Sequence, residues 1–252
     1  MAPAPAPSAS FRLEIVAQIA STNAELIARL SRGEALREGD WLIADRQLAG
    51  RGRLGRAWQD GAGNFMGSTA VAIRAGDPPA HTLALVAGIA VHQAVACHLP
   101  GPGALMLKWP NDLLLDQAKL AGILLERRAE HVIVGVGVNL VSAPKLADRA
   151  TVALTELSLT VSRDRFADDL ARICNAELAL WRSAGLHETV RRWIQRGPVR
   201  GTRLVVNPTT ADRVVGEYRG LDADGALLLR LAGGADRAIH AGEVELLRNW
   251  EN

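Results

Sequence analysis

An α+β domain followed by a small β-barrel is the fold class that the sequence predicts, on three observations. Short apolar runs of strand length alternate with helical-period segments between residues 11 and 140. Residues 163–181 and 187–196 have amphipathic helical spacing, and Gly197-Pro198 then breaks the pattern. Beyond that break, five short strand-like runs are separated by Gly, Asp and Asn.

Each element has a local cause. FRLEIVAQIA (11–20) alternates as a strand, and STNAELIARL (21–30) repeats Ala24, Ile27, Ala28 and Leu30 at helical spacing. Thr22 with Glu25 three residues on predicts a capping box for that helix. WLIAD (41–45) and NFMGSTAVAI (64–73) read as buried strands flanking a Gly/Arg loop. Residues 79–99 are apolar on nearly every face, which predicts a helix buried between layers. LMLKW, DLLL, KLAGILLE and HVIVGVGVNL predict strands of one sheet, with WPND and DQAK as turns. Helices are expected over 163–181 and 187–196. The organisation expected is a disordered Ala/Pro-rich arm over 1–10, one domain over 11–197 and a barrel over 198–252.

Composition removes several function classes. With 252 residues, 48% hydrophobic, 22% charged and a mean hydropathy of +0.07, the chain is of ordinary globular type and not disordered or fibrous. No apolar run reaches the roughly 18 residues a membrane span needs. A net charge of +2 is too balanced for a protein that coats phosphate backbones, so no DNA and no membrane partner is expected. Cys97 and Cys174 lie far apart in apolar helical stretches and are expected as buried free thiols. The start has no secretory pattern, and the cytoplasm is the expected compartment.

Four segments carry candidate chemistry. Gly50-Arg51-Gly52-Arg53-Leu54-Gly55-Arg56 satisfies G-x-G-x-x-G, but no helical segment follows it, so a dinucleotide fingerprint is rejected. Glycines alternating with arginines describe instead a mobile loop that can approach a ligand and neutralise phosphate or carboxylate; a solvated basic turn is the alternative. The chain holds only three lysines, and Lys108 opens KWPND while Lys119 opens KLAGI. A hairpin between them would bring both ammonium groups to one surface with the Gly/Arg loop; a solvated edge charge is the other reading. Ser21-Thr22-Asn23 and Gln47 offer donors and acceptors for a small polar head group. Gly135 and Gly137 interrupt an apolar strand, which marks a close approach of a ligand or a bulge. The six His are dispersed, H-E-x-x-H and C-x-x-C are absent, and Ser68 lacks nucleophile-elbow spacing, so metal and serine hydrolases are disfavoured and no protein-held metal is expected.

In order and content, Ser21-Thr22-Asn23, Gln47-x-x-GRGRLGR-x-Trp58, KWPND, KLAGIL and the GVGVN strand resemble the biotin–protein ligase family from about residue 11 to 249. The resemblance implies a mixed-sheet catalytic domain of class II aminoacyl-tRNA synthetase/biotin ligase type with an SH3-like barrel, in the monofunctional class without a winged helix. It implies ATP and biotin as substrates, Mg2+ with ATP, biotinyl-5'-AMP as intermediate, and transfer to a lysine of the biotin carboxyl carrier protein of acetyl-CoA carboxylase. Arg53 and Lys119 would be catalytic. Biotin would meet Ser21, Thr22, Asn23, Gln47, Gly50, Arg51, Gly52, Arg53, Lys119, Gly122 and Gly135. The nucleotide would meet Arg51, Arg53, Arg56, Trp58, Lys108, Asn111, Lys119 and Asn139. Leu54 departs from members with a third loop Arg there, which is expected to change loop charge and intermediate retention. An exposed sheet edge would permit a homodimer. The alternatives are a lipoate or octanoate ligase of related fold, a nucleotide- or nucleic-acid-binding module, and a regulator that holds biotinyl-adenylate without transferring it.

Overall fold

Side chains pointing alternately to opposite faces organise the first sheet, in a computed structural model that describes residues 11–59, 61–101 and 105–247. The arm expected over 1–10 lies outside the described residues. Strand β1 (Leu13–Ile19) leads through α1 (Thr22–Ser31) to β2 (Trp41–Gln47). Then come β3 (Phe65–Ala72), α2 (Leu83–Ala96), β4 (Leu105–Lys108), β5 (Asp112–Leu115), β6 (Ala118–Arg128) and β7 (His131–Val138). The seven strands form one sheet in the order β1-β2-β3-β7-β6-β5-β4. Only β1 and β2 are parallel, because α1 carries the chain back between them. Leu42, Ala70 and Ile133 face α1 and pack with its Leu26. Their neighbours Ile43, Val71, Val132 and Val134 face the opposite way, into the core with α2 and α3 (Arg163–Ile194).

Helix α2 is buried almost all round, as its largely apolar sequence, interrupted only by His92 and Gln93, requires. The two helices expected after residue 163 are one run in α3, interrupted at Gly185, whose φ of 76° only glycine adopts readily. The N-cap lies one residue earlier than the expected capping box, and with Ala24 at the third helical position no box forms. Ser21, not Thr22, is the N-cap and accepts from Ala24 N–H at 3.4 Å, because the Thr22 hydroxyl is drawn into a tertiary contact. Cys97 is exposed rather than buried, since α2 ends just before it at the surface. Cys174 is half-buried, and burial of its thiol, with Glu177 nearby, pushes its pKa up to about 12.

After α3, strands β8 (Arg203–Val206), β9 (Val214–Leu221), β10 (Leu227–Arg230), β11 (Asp236–Ile239) and β12 (Val244–Leu246) form an antiparallel sheet in the order β11-β10-β9-β8-β12. Among the described residues no pairing joins β11 to β12, so the expected barrel is not closed by hydrogen bonds. These two strands, of four and three residues, are too short to wrap the sheet onto itself. The small sheet docks through Gly225, whose carbonyl accepts from Trp109 Nε1 at 3.2 Å; a Cβ there would lie 2.9 Å from Leu85 Cδ1. No helix among the described residues is long and apolar enough to cross a membrane.

Candidate active site

Cross-strand register puts the polar residues of the large sheet on the α1 face. Gly137 of β7 pairs with Gly122 of β6, Gly122 with Asp112 of β5, and Asp112 with Lys108 of β4. One row further along, Ser68 of β3 pairs with Gly135, and Gly135 with Leu124. Directly opposed residues of antiparallel strands share a face. A cleft of about 400 Å³ opens there, lined by α1, the Gly/Arg loop, this strip of sheet and the 243–245 end of the small sheet. Every residue expected at a ligand lines it except Gly50, which lies behind the lining and pairs with Trp58.

One end of the cleft is neutral and polar. Ser21, Thr22, Asn23 and Gln47 are all buried. Gln47 Oε1 accepts from Thr22 N–H at 2.7 Å, the Thr22 and Ser68 hydroxyls meet at 2.6 Å, and Ser68 donates to Asn23 Oδ1 at 2.6 Å. Asn23 Nδ2 in turn donates to Glu126 at 2.7 Å. Gly135 clears the space for this amide, since a Cβ there would sit 2.2 Å from Asn23 Oδ1.

The other end is cationic around one buried anion. Asp112 holds Lys119 Nζ at 2.6 Å and Lys108 Nζ at 3.2 Å. Burial alone would push the Asp112 carboxyl up, but Lys119 and Lys108 outweigh it and hold the group below the ordinary carboxylate range. The backbone of Lys119 is clamped by Ala150 and Val152, and Asn139 Nδ2 donates to Lys119 O and Val152 O. Trp58 lies against the glycine strip: a Cβ on Gly137 would come within 2.3 Å of its indole, and Lys119 Nζ stands 6.0 Å from its ring centroid.

The Gly/Arg loop is a narrow hairpin. Gly50 and Trp58 pair at its neck, Arg51 bridges Ala57, and Gly52 N–H reaches Arg56 O at 2.7 Å. At the tip Leu54 is exposed with φ of 56°. Arg53 donates to Asn111 Oδ1 at 3.2 Å and to Gly242 O at 3.4 Å, while Arg56 forms an ion pair with Glu243. Burial lowers the Arg53 pKa against the pull of Asp112 and Glu243.

Five contributors were not anticipated. Asp112 sits in the WPND turn pattern and Ser68 lacks nucleophile-elbow spacing, so neither marks itself locally; Glu126, Gly242 and Glu243 carry no local motif. For Asp112 a signal was present, because two scarce lysines flanking a carboxylate call for a counter-ion.

Residues 16–139 match the Biotin/lipoate A/B protein ligase family, and residues 206–247 match the Biotin protein ligase C terminal domain. A biotin--[acetyl-CoA-carboxylase] ligase of Mycobacterium tuberculosis is 38% identical over 242 residues, covering 94% of this chain and 90% of that one. One from Paracoccus denitrificans is 36% identical over 244 residues, covering 91% and 98%. A solved biotin protein ligase from Aquifex aeolicus, in complex with biotin and ATP, shares the fold with a TM-score of 0.80 at 24% identity, covering 94% and 99%. The class is thus that of the biotin/lipoate protein ligases. Within it, the chain belongs to the biotin–protein ligase family.

Proposed function

We propose that this protein joins biotin to ATP to form biotinyl-5'-AMP and transfers the biotinyl group to a lysine of the biotin carboxyl carrier protein of acetyl-CoA carboxylase. The observation that carries the reading is the pairing, within one cleft, of a buried neutral hydrogen-bonding pocket with a lysine pair on a single carboxylate. A ureido head suits the first and a carboxylate meeting a triphosphate suits the second.

In the first step a biotin carboxylate oxygen bonds to the α-phosphorus of ATP, and the bond to the leaving pyrophosphate breaks. In the second, the carrier lysine amine bonds to the biotinyl carbonyl carbon, AMP leaves with the anhydride electrons, and the amine loses a proton. Lys119 and Arg53 offset charge on the phosphate and carboxylate oxygens, where preorganised cations contribute most. Ser21, Thr22, Asn23 and Gln47 hold the ureido head. Trp58 and Asn139 lie at the nucleotide base and ribose. Lys108 and Asn111 face the ATP phosphates and the magnesium these carry, with Arg51, Gly52 and Arg56 closing over the ligand. Gly122 and Gly135 admit the ligand and the side chains around it, and Gly50 admits the Trp58 backbone at the neck of the loop, where a Cβ would lie 2.8 Å from Trp58 O. The free thiols suit the cytoplasm, and β1 at the end of the large sheet suits pairing with a second copy.

ATP–pyrophosphate exchange with biotin, lipoate or octanoate tests this directly. Exchange is expected with biotin alone, and Lys119→Ala is expected to lose on the order of a hundredfold or more. Exchange with lipoate or octanoate instead would transfer the reading to a related acyl ligase. Exchange with no acid would remove the ligase chemistry.

A further inference from the structure

The hydrogen bonds at the neutral end of the cleft have a direction that donor counting fixes. A glutamate carboxylate only accepts. With Asn23 Nδ2 2.7 Å from Glu126 Oε2, the amide is held with Oδ1 toward Ser68, and Ser68 must place its single hydrogen on that oxygen at 2.6 Å. Across the 2.6 Å contact with Thr22, Ser68 therefore accepts and Thr22 donates. That occupies the one Thr22 hydrogen, so Gln47 Oε1 is held by Thr22 N–H at 2.7 Å, a shorter contact than the 3.1 Å to the hydroxyl. Thr22 lines the cleft and Glu126 does not. Toward a ligand, the Thr22 hydroxyl has lone pairs and no hydrogen.

We propose that Glu126 is a positioning residue that, through Asn23, Ser68 and Thr22, sets the head-group pocket to accept from ligand N–H groups. The inference rests on the biotin reading above, whose ureido ring presents two such groups. Glu126 touches no substrate. Its part is to make one orientation of a four-member chain the only satisfied one, where a neutral residue would allow the reverse orientation and a Thr22 hydroxyl that donates into the cleft.

Glu126→Gln keeps the shape, loses the charge, and changes a partly exposed side chain on β6. Calorimetric titration of the protein with biotin and with each of the two mono-N-methyl ureido isomers reads the effect. Glu126→Gln is expected to weaken biotin about tenfold, the worth of a charge-assisted bond over a neutral one. It should also narrow the preference for biotin over at least one N-methyl isomer by about fivefold, since the steric cost of the methyl cancels in that ratio. In pyrophosphate exchange KM for biotin should rise while kcat and KM for ATP stay within about twofold. Adding Glu126→Gln to Ser68→Ala should cost less than about twofold more than Ser68→Ala alone, because the chain is already cut. Equal losses for biotin and both isomers, an unchanged biotin affinity, or additive effects in the double variant would overturn the proposal while leaving the ligase reading intact. A wild-type protein that binds no biotin would overturn both.

Discussion

Asp112 places one carboxylate oxygen 2.6 Å from Lys119 Nζ, inside a protein that has only three lysines. Its second oxygen holds Lys108, so one anion spaces two cations that would otherwise repel across the cleft. The antiparallel turn between β4 and β5 makes this possible by setting Lys108 directly opposite Asp112.

Asp112→Asn should therefore cost about 3 kcal/mol of stability, since it leaves two partly buried ammonium groups without their counter-ion. Urea denaturation measures this. The wild-type carboxyl titrates below its ordinary value of 3.8, so the unfolded state takes up the proton first as pH falls. The stabilisation is complete above that value and is lost in acid below it. The Asn variant should lack this acid-limb loss, and an identical acid profile in both proteins would contradict the assignment.

The hairpin at 50–58 is tied to the small sheet through Arg53 and Arg56. Arg53→Ala should release preformed biotinyl-adenylate at least about tenfold faster, as expected for a weakened lid. A chase of labelled adenylate with excess unlabelled ligand gives the rate. Equal rates in parent and variant would exclude Arg53 from retention.

Ser21 and Thr22 are neighbours with separable tasks. Ser21→Ala should lower stability by about 1 kcal/mol through the lost cap. Thr22→Ala should instead lower biotin affinity by more than its stability loss, because its hydroxyl contacts Ser68 and not the helix end. Thermal melts and biotin titrations on the two variants check the split. Matching profiles would deny it.

On α2, burial and then Arg196 hold the His92 imidazole at about 4, against 6.5 in an unfolded chain. Between those values the unfolded state binds more protons, so stability is full above about pH 6.5 and declines as pH falls toward 4. The loss between pH 7.5 and 5 should be about 1 to 2 kcal/mol and should shrink in His92→Gln. Urea midpoints at the two pH values measure it, and an unchanged slope in the variant would point to another group.

Local chemistry made much of this legible. Short apolar runs over 64–73 and 131–140 mark the central strands, and the apolar faces of 79–99 mark the buried helix. The rare lysines and the Gly/Arg loop marked two sides of the cleft. What stayed hidden depends on long-range pairing: Glu126 acts on Asn23 across 103 positions and Glu243 on Arg56 across 187. The Thr22–Glu25 pattern misleads because the adjacent Ser21 can cap as well, and the Thr22 hydroxyl is buried against Ser68. The missing β11–β12 pairing among the described residues is equally out of reach, since strand count does not fix whether the last hydrogen-bonded pair forms.

The strip of Gly122, Gly135 and Gly137 fixes the depth of the cleft. The cleft is carved by subtraction: its floor is bare main chain, and the side chains of Asn23, Trp58 and Lys119 occupy volume that Cβ atoms would claim. A floor without rotamers cannot fluctuate by rotamer exchange, so its contour is as stiff as the sheet itself. Recognition chemistry can thus be retuned on the walls while the depth of the binding site is inherited unchanged from the backbone.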